Sequence, residues 1–163
     1  MGDRKDISLL VLDVDGTLTD GKIYMGQCGE MLKAFDCKDG YGIRHILPEM
    51  AIRPAIITGR SSDIVANRAK ELGITLVVQG ADDKLSALMD LISKESIDFA
   101  SVAYMGDDIN DLAAMRLCGI KACPADAAKA IKENADFVSS KNGGDGAVRE
   151  FIEWLKAGLN CDE

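Results

Sequence analysis

Short apolar runs alternate along the chain with segments whose apolar residues recur at helical spacing. The first run, residues 7–12, is unbroken, as expected of a strand buried on both faces. Further runs predict strands over 53–58, 75–78, 101–105, 120–122 and 136–138. Between them the pattern predicts helices. One opens at Asp39-Gly40 and is halted by Pro48. Another runs from Ser61 to Leu72, with Gly73 as its stop. A third starts at Asp82-Asp83-Lys84 and carries Leu85, Leu88, Leu91 and Ile92 on one face. Helices over 110–117 and 126–133 follow, and a last one over 147–159 has Phe151, Ile152 and Leu155 on one face. Strand and helix alternate almost throughout, which calls for an α/β fold with a central, mainly parallel sheet and helices on both faces. Neither a repeat nor a linker interrupts the pattern, so residues 1–163 read as one domain. The last four residues, 160–163, read as a frayed tail.

One segment departs from this rhythm. Residues 23–25 and 31–35 flank a turn, 26–29, that holds two glycines, and they predict a β-hairpin too small to be a domain. Its apolar side chains (Ile23, Tyr24, Met25, Met31, Leu32, Phe35) would be poorly covered in a monomer. A two-stranded hairpin is marginal alone, so it either folds back on the core or meets another subunit. The second is the expectation here.

Composition narrows the partners. Hydrophobic residues make up 47% of the chain, in the globular range. A formal net charge of −8 gives no basic footprint for nucleic acid. No apolar stretch is long enough to cross a bilayer, and the first residues lack the apolar core of a signal peptide, so a cytoplasmic location is expected. The five cysteines show no CxxC spacing and read as reduced thiols without a zinc site. The single histidine, His45, excludes a mechanism needing a histidine pair.

Chemistry-bearing residues gather where strands end. The first run closes on Asp13 and Asp15, followed by Gly16. Thr58-Gly59-Arg60 closes the second, Lys84 opens a helix, and Gly106-Asp107-Asp108 with Asn110 and Asp111 follows the fourth. In a parallel sheet these ends share one edge, where ligands of open α/β sheets bind. Singly, each has an ordinary reading: Asp-Gly as a turn, Lys84 as a solvated lysine, the later acids as partners of a helix N-terminus. Together they fit phosphoryl transfer, in which positioning and charge neutralisation supply most of the rate. Asp13 would attack the phosphorus. A Mg²⁺ ion held by Asp13 and Asp107 would offset the repulsion between anions. Thr58 would hydrogen-bond the transferring group, and Lys84 would keep Asp13 ionised. Asp15 would serve as acid and then as base. A receiver-like signalling domain also gathers acids, a Thr and a Lys at a sheet edge, but in another order.

The motifs DVDGTLTDG, TGR, Lys84 in a DDK context and GDDIND resemble the four ordered motifs of the haloacid dehalogenase superfamily of phosphatases. The similarity covers nearly the whole chain. KIYMGQCGEMLKAFDCKDGYGIR, VVQGADDK and GGDGAVREF further resemble its small capless members that act on 3-deoxy-manno-octulosonate 8-phosphate. Nonulosonate 9-phosphate phosphatases, and the phosphatase-like, sometimes idle modules joined to acylneuraminate cytidylyltransferases, look similar too. The resemblance implies a Rossmann-like three-layer sandwich with the hairpin in place of a cap domain. It implies Asp13 as nucleophile and Asp15 as acid/base, with the Asp15 carbonyl on Mg²⁺. It further implies Asp107 as a metal ligand, Asp108 and Asp111 as supports of the metal shell, and Thr58, Gly59, Arg60 and Lys84 as phosphate- and substrate-binding. A homotetramer joined through the hairpin, residues 22–35, with a neighbour closing each active site, is implied as well. Thr17 stands where this subgroup more often has Val. Asp145 replaces a frequent Arg, which speaks against an octulosonate ester, whereas Arg60 speaks for one.

Overall fold

The computed structural model describes residues 4–159. Strand β1 (Leu9–Leu12) lies at the centre of a six-stranded sheet, and its four residues are all buried. Around it stand β4 (Arg53–Ile57), β5 (Leu76–Val78), β6 (Val102–Met105), β7 (Ile120–Cys123) and β8 (Phe137–Val138), in the order β5-β4-β1-β6-β7-β8. Every pairing is parallel. Counted within the sheet alone, this is the order 3-2-1-4-5-6, which reverses direction beside β1. Such a reversal opens a crevice at the carboxyl edge.

Alternation along β1 builds two cores. Leu10 and Leu12 point to one face, against Phe151, Ile152 and Leu155 of α6 (Ala147–Leu159) and Val65, Ala69 and Leu72 of α2 (Asp63–Leu72). Leu9 and Val11 point to the other, against Leu88, Leu91 and Ile92 of α3 (Lys84–Glu95) and Ala114 and Met115 of α4 (Ile109–Met115). Each fully buried Val, Leu, Ile, Phe or Met side chain among these contributes about 1.5–3 kcal/mol. The result is the expected three-layer arrangement.

Three expectations need correction. The helix predicted from Asp39 starts earlier, as α1 (Cys37–Tyr41), because Asp36 caps it by accepting from the amides of Lys38 and Asp39. Pro48 does not halt it. The chain passes through a π-helical turn, Gly42–Ile46, into a 3₁₀ turn, Leu47–Met50, in whose first turn proline's missing N–H costs nothing. Ala51, in the left-handed region at φ 56°, ends it. The helix predicted over 126–133 shrinks to α5 (Lys129–Lys132). The expected frayed tail, 160–163, lies outside the described residues.

The hairpin exists, as β2 (Tyr24–Gly26) and β3 (Gly29–Leu32), antiparallel and separate from the main sheet. Its second arm is shorter than predicted. Phe35 leaves it to pack on the core, whereas Met25 and Met31 remain 61% and 66% exposed. No helix among the described residues is long and apolar enough to cross a membrane.

Candidate active site

Two strand ends flank the crevice. Asp13 follows β1 directly, its amide held by the Met105 carbonyl at 3.0 Å. Asp107 follows β6 after one glycine. Gly16, at φ +99°, turns the chain between them. A Cβ there would lie 2.1 Å from Asp107 Oδ2, so no other residue fits without moving that carboxylate. Thr17 donates to Asp107 Oδ1 at 3.3 Å, a contact a Val could not make. A glycine pair locks this loop from outside. A Cβ on Gly143 would sit 1.9 Å from the Gly16 carbonyl oxygen, and the Gly144 amide donates to the Thr17 carbonyl at 3.1 Å.

Helix α3 delivers Lys84. Asp83 caps the helix, accepting from the amides of Leu85 and Ser86, and this fixes Lys84 at the first helical position. A cation at a helix N-terminus opposes the dipole, and its side chain is only 1% exposed. The compensation is electrostatic: Lys84 Nζ lies 2.8 Å from Asp13 Oδ1 and 2.7 Å from Asp111 Oδ1. Burial alone would lower the pKa of Lys84, but these two carboxylates raise it.

Asp111 was expected near the metal shell. It is more committed than that. Its Oδ1 accepts from Lys84 and from the Tyr104 hydroxyl at 2.9 Å, and its Oδ2 accepts from the amides of Asp107 and Asp108. Asp108 and Asp111 form a capping box that starts α4. Asp111 is thus an anchor behind the site, spent on four donors. Tyr104, buried in β6, was not singled out in the sequence because it sits in an apolar strand run.

The cleft itself is lined by Asp13, Asp15, Thr58, Gly59, Arg60, Lys84, Asp107, Asp108 and Asn110. All four sequence motifs therefore converge. Thr58 is buried, its amide still bonded to the Val78 carbonyl at 3.0 Å, so its position is set by the sheet. Asp145 stands elsewhere: it lines a separate groove with Lys38 and Arg149, so within one chain it does not meet the cleft.

The residues suit a divalent cation. Carboxylate oxygens of Asp13, Asp107 and Asp111 lie within 4.8 Å of one another. With Asp111 saturated by donors, Asp13 and Asp107 remain to bind. Burial, then the charges of Asp13 and Asp111, push Asp107 up to about 8. Burial and the Asp111 charge push Asp13 up to about 6, against the pull of Lys84. Two neighbouring carboxylates that repel each other are a favourable seat for a hard cation.

Two cleft contacts come from the hairpin and were missed in the sequence. Lys33 pairs with Asp15 and, at 2.8 Å, with Glu30. Glu30 also accepts from the Ser62 hydroxyl and lies 4.0 Å from Arg60 Nε. Both residues read as ordinary polar positions of a hairpin arm, and nothing in their spacing points to the site.

Comparison with known proteins agrees with this geometry. Residues 61–152 match the model of the haloacid dehalogenase-like hydrolases. The 3-deoxy-D-manno-octulosonate 8-phosphate phosphatase of Escherichia coli is 48% identical over 155 residues, which cover 95% of this chain and 82% of that protein. The chain belongs to the haloacid dehalogenase-like hydrolases. Among solved structures of this family, the 3-deoxy-D-manno-octulosonate 8-phosphate phosphatase of Moraxella catarrhalis, in complex with magnesium, phosphate and the sugar acid, superposes with a TM-score of 0.91. It is 43% identical and covers 96% of this chain and 89% of its own. The cobalt-bound phosphatase of Haemophilus influenzae superposes at 0.92 with 36% identity, covering 96% and 91%.

Proposed function

We propose that the chain is a Mg²⁺-dependent phosphatase that hydrolyses 3-deoxy-D-manno-octulosonate 8-phosphate in the cytoplasm, as a single catalytic domain. The observation that carries this reading is the meeting of Asp13, Lys84 and Asp107 at the sheet's reversal point. The similarity to an enzyme holding magnesium, phosphate and the sugar acid supports the substrate.

Asp13 and Asp107, with the Asp15 carbonyl, would hold the Mg²⁺. When bound, the ion supplies positive charge that lets two anions approach. Asp13 attacks the phosphorus, and the ester P–O bond breaks. Asp15 gives its proton to the departing sugar oxygen, and an aspartyl-phosphate remains on Asp13. Water then attacks the phosphorus, Asp15 takes a proton from it, and phosphate leaves as the Asp13 carboxylate reforms. Lys84 and Thr58 steady the phosphoryl oxygens, and the amides of Gly59 and Arg60 flank them. Asp108 and Asp111 hold the start of α4, and through it Asp107.

The cleft offers about 220 Å³, less than the roughly 300–1,000 Å³ of sites that enclose a whole small molecule. It suits the phosphoryl group and leaves the sugar uncovered. Together with the exposed Met25 and Met31, this supports a homotetramer assembled through the hairpin, with a neighbour covering the sugar. The test is phosphate release from a panel of 2-keto-3-deoxy and ordinary sugar phosphates, ranked by kcat/KM. The eight-carbon 8-phosphate should lead. A clear preference for a nine-carbon 9-phosphate would move the substrate, and turnover of none would overturn the reading.

A further inference from the structure

Lys33 follows β3 and has a side chain only 1% exposed, although most of the hairpin before it is exposed. A buried ammonium costs several kcal/mol unless it is paired. Here two carboxylates pair it: Asp15 Oδ1 on one side and Glu30 Oε1 on the other. Glu30 is itself fixed, since its Oε2 accepts from Ser62 in the loop before α2. The contacts therefore run unbroken from the end of β1, through the hairpin, to the loop that follows β4.

Among the roles assigned above, the acid–base step depends on orientation. A carboxyl group turns about its Cβ–Cγ bond, and only one oxygen at a time can face the ester. A misplacement of about 1 Å at such a group costs on the order of 100-fold in rate. We propose that Lys33 is a positioning residue for that step: it claims Asp15 Oδ1, so that Oδ2 faces the leaving oxygen. The inference rests on Asp15 being the acid. In the step, the O–H bond at Oδ2 breaks as the sugar oxygen, leaving with the P–O electron pair, takes the proton. Lys33 keeps its own proton throughout. The hairpin then has a part in the chemistry of its own chain, besides covering surface.

A leaving-group comparison tests this. A sugar phosphate needs a proton on its departing oxygen, whereas 4-nitrophenyl phosphate releases a stable phenolate without one. The kcat/KM values, which report events up to that departure, are measured for both esters. Asp15→Asn should lose about 100-fold or more on the sugar ester and under about tenfold on the aryl ester. Lys33→Met should show the same skew, losing about 30-fold on the sugar ester and under about threefold on the aryl ester. Lys33→Gln, with the same expected skew, replaces it should the Met variant fail to fold by circular dichroism. Equal losses on both esters, or no loss on either, would overturn the proposal. So would failure of both variants to fold, which assigns Lys33 to stability. If Asp15→Asn itself shows no skew, the acid reading of Asp15 falls, and this proposal with it. If Asp15→Asn is skewed and the Lys33 variants are not, only the Lys33 proposal falls.

Discussion

Lys84 and Asp111 are joined at 2.7 Å in a place where neither is reached by solvent, although 27 residues separate them in sequence. The pair ties the start of α3 to the start of α4, and Asp13 shares the same ammonium. Three charges are thus buried as one unit, which is stable only while complete.

Lys84→Met leaves Asp13 and Asp111 buried without their cation. Breaking a buried pair from one side costs about 3–5 kcal/mol. Urea unfolding in EDTA should show a loss in that range, and added Mg²⁺ should recover part of it. Activity should be absent with or without the metal.

Asp13→Asn removes the proposed nucleophile while keeping the shape of the side chain. Turnover of every phosphate ester should fall about 10⁴-fold or more, with the far-ultraviolet dichroism unchanged. Wild-type EDTA-treated protein should be silent, and Mg²⁺ should restore it. Full turnover in metal-free buffer would rule out the assigned role of Asp13 and Asp107.

Asp39 is a pH-sensitive joint away from the cleft. It is buried in α1 and accepts from the Arg149 amide at 2.7 Å, tying α1 to the start of α6. Its other oxygen has no hydrogen-bond partner among the described residues. Burial, chiefly, pushes it up to about 6 from 3.8. The folded state therefore holds a proton that the unfolded chain releases first, so this group's stabilising contribution is present below about 4 and is lost as pH rises to about 6. The loss is on the order of 1–3 kcal/mol. Asp39→Asn, which cannot ionise, should flatten the dependence of Tm on pH between those limits.

Met25 and Met31 keep most of their surface exposed on the hairpin. A charge at either position would be buried if the hairpin joins subunits. Met31→Glu should lower the oligomeric mass seen by light scattering, with helix content unchanged. An unaltered mass would place the interface elsewhere.

The catalytic edge was legible because parallel topology needs only the order of strands and helices, and that order was plain in the apolar runs. Once β1, β4 and β6 were adjacent, Asp13, Thr58 and Asp107 had to meet. The hidden parts depended on contacts with no period. Tyr104 and Asp111 meet through the register of β6 against α4. Lys33 reaches Asp15 because the hairpin folds back toward the cleft, which residue spacing does not encode. Pro48 misled because proline ends a helix only in its interior; in the first turn of a 3₁₀ segment it is at home.

The packing of Gly143 and Gly144 on the loop of Gly16 and Thr17 bears on how the protein is made. Asp13 leaves the ribosome well before the glycines whose backbone clamps its loop. A chain released only as far as α4 carries Asp13 but not its mould. Activity should therefore arrive all at once, when Gly143 and Gly144 can dock on the loop, and not grow with length.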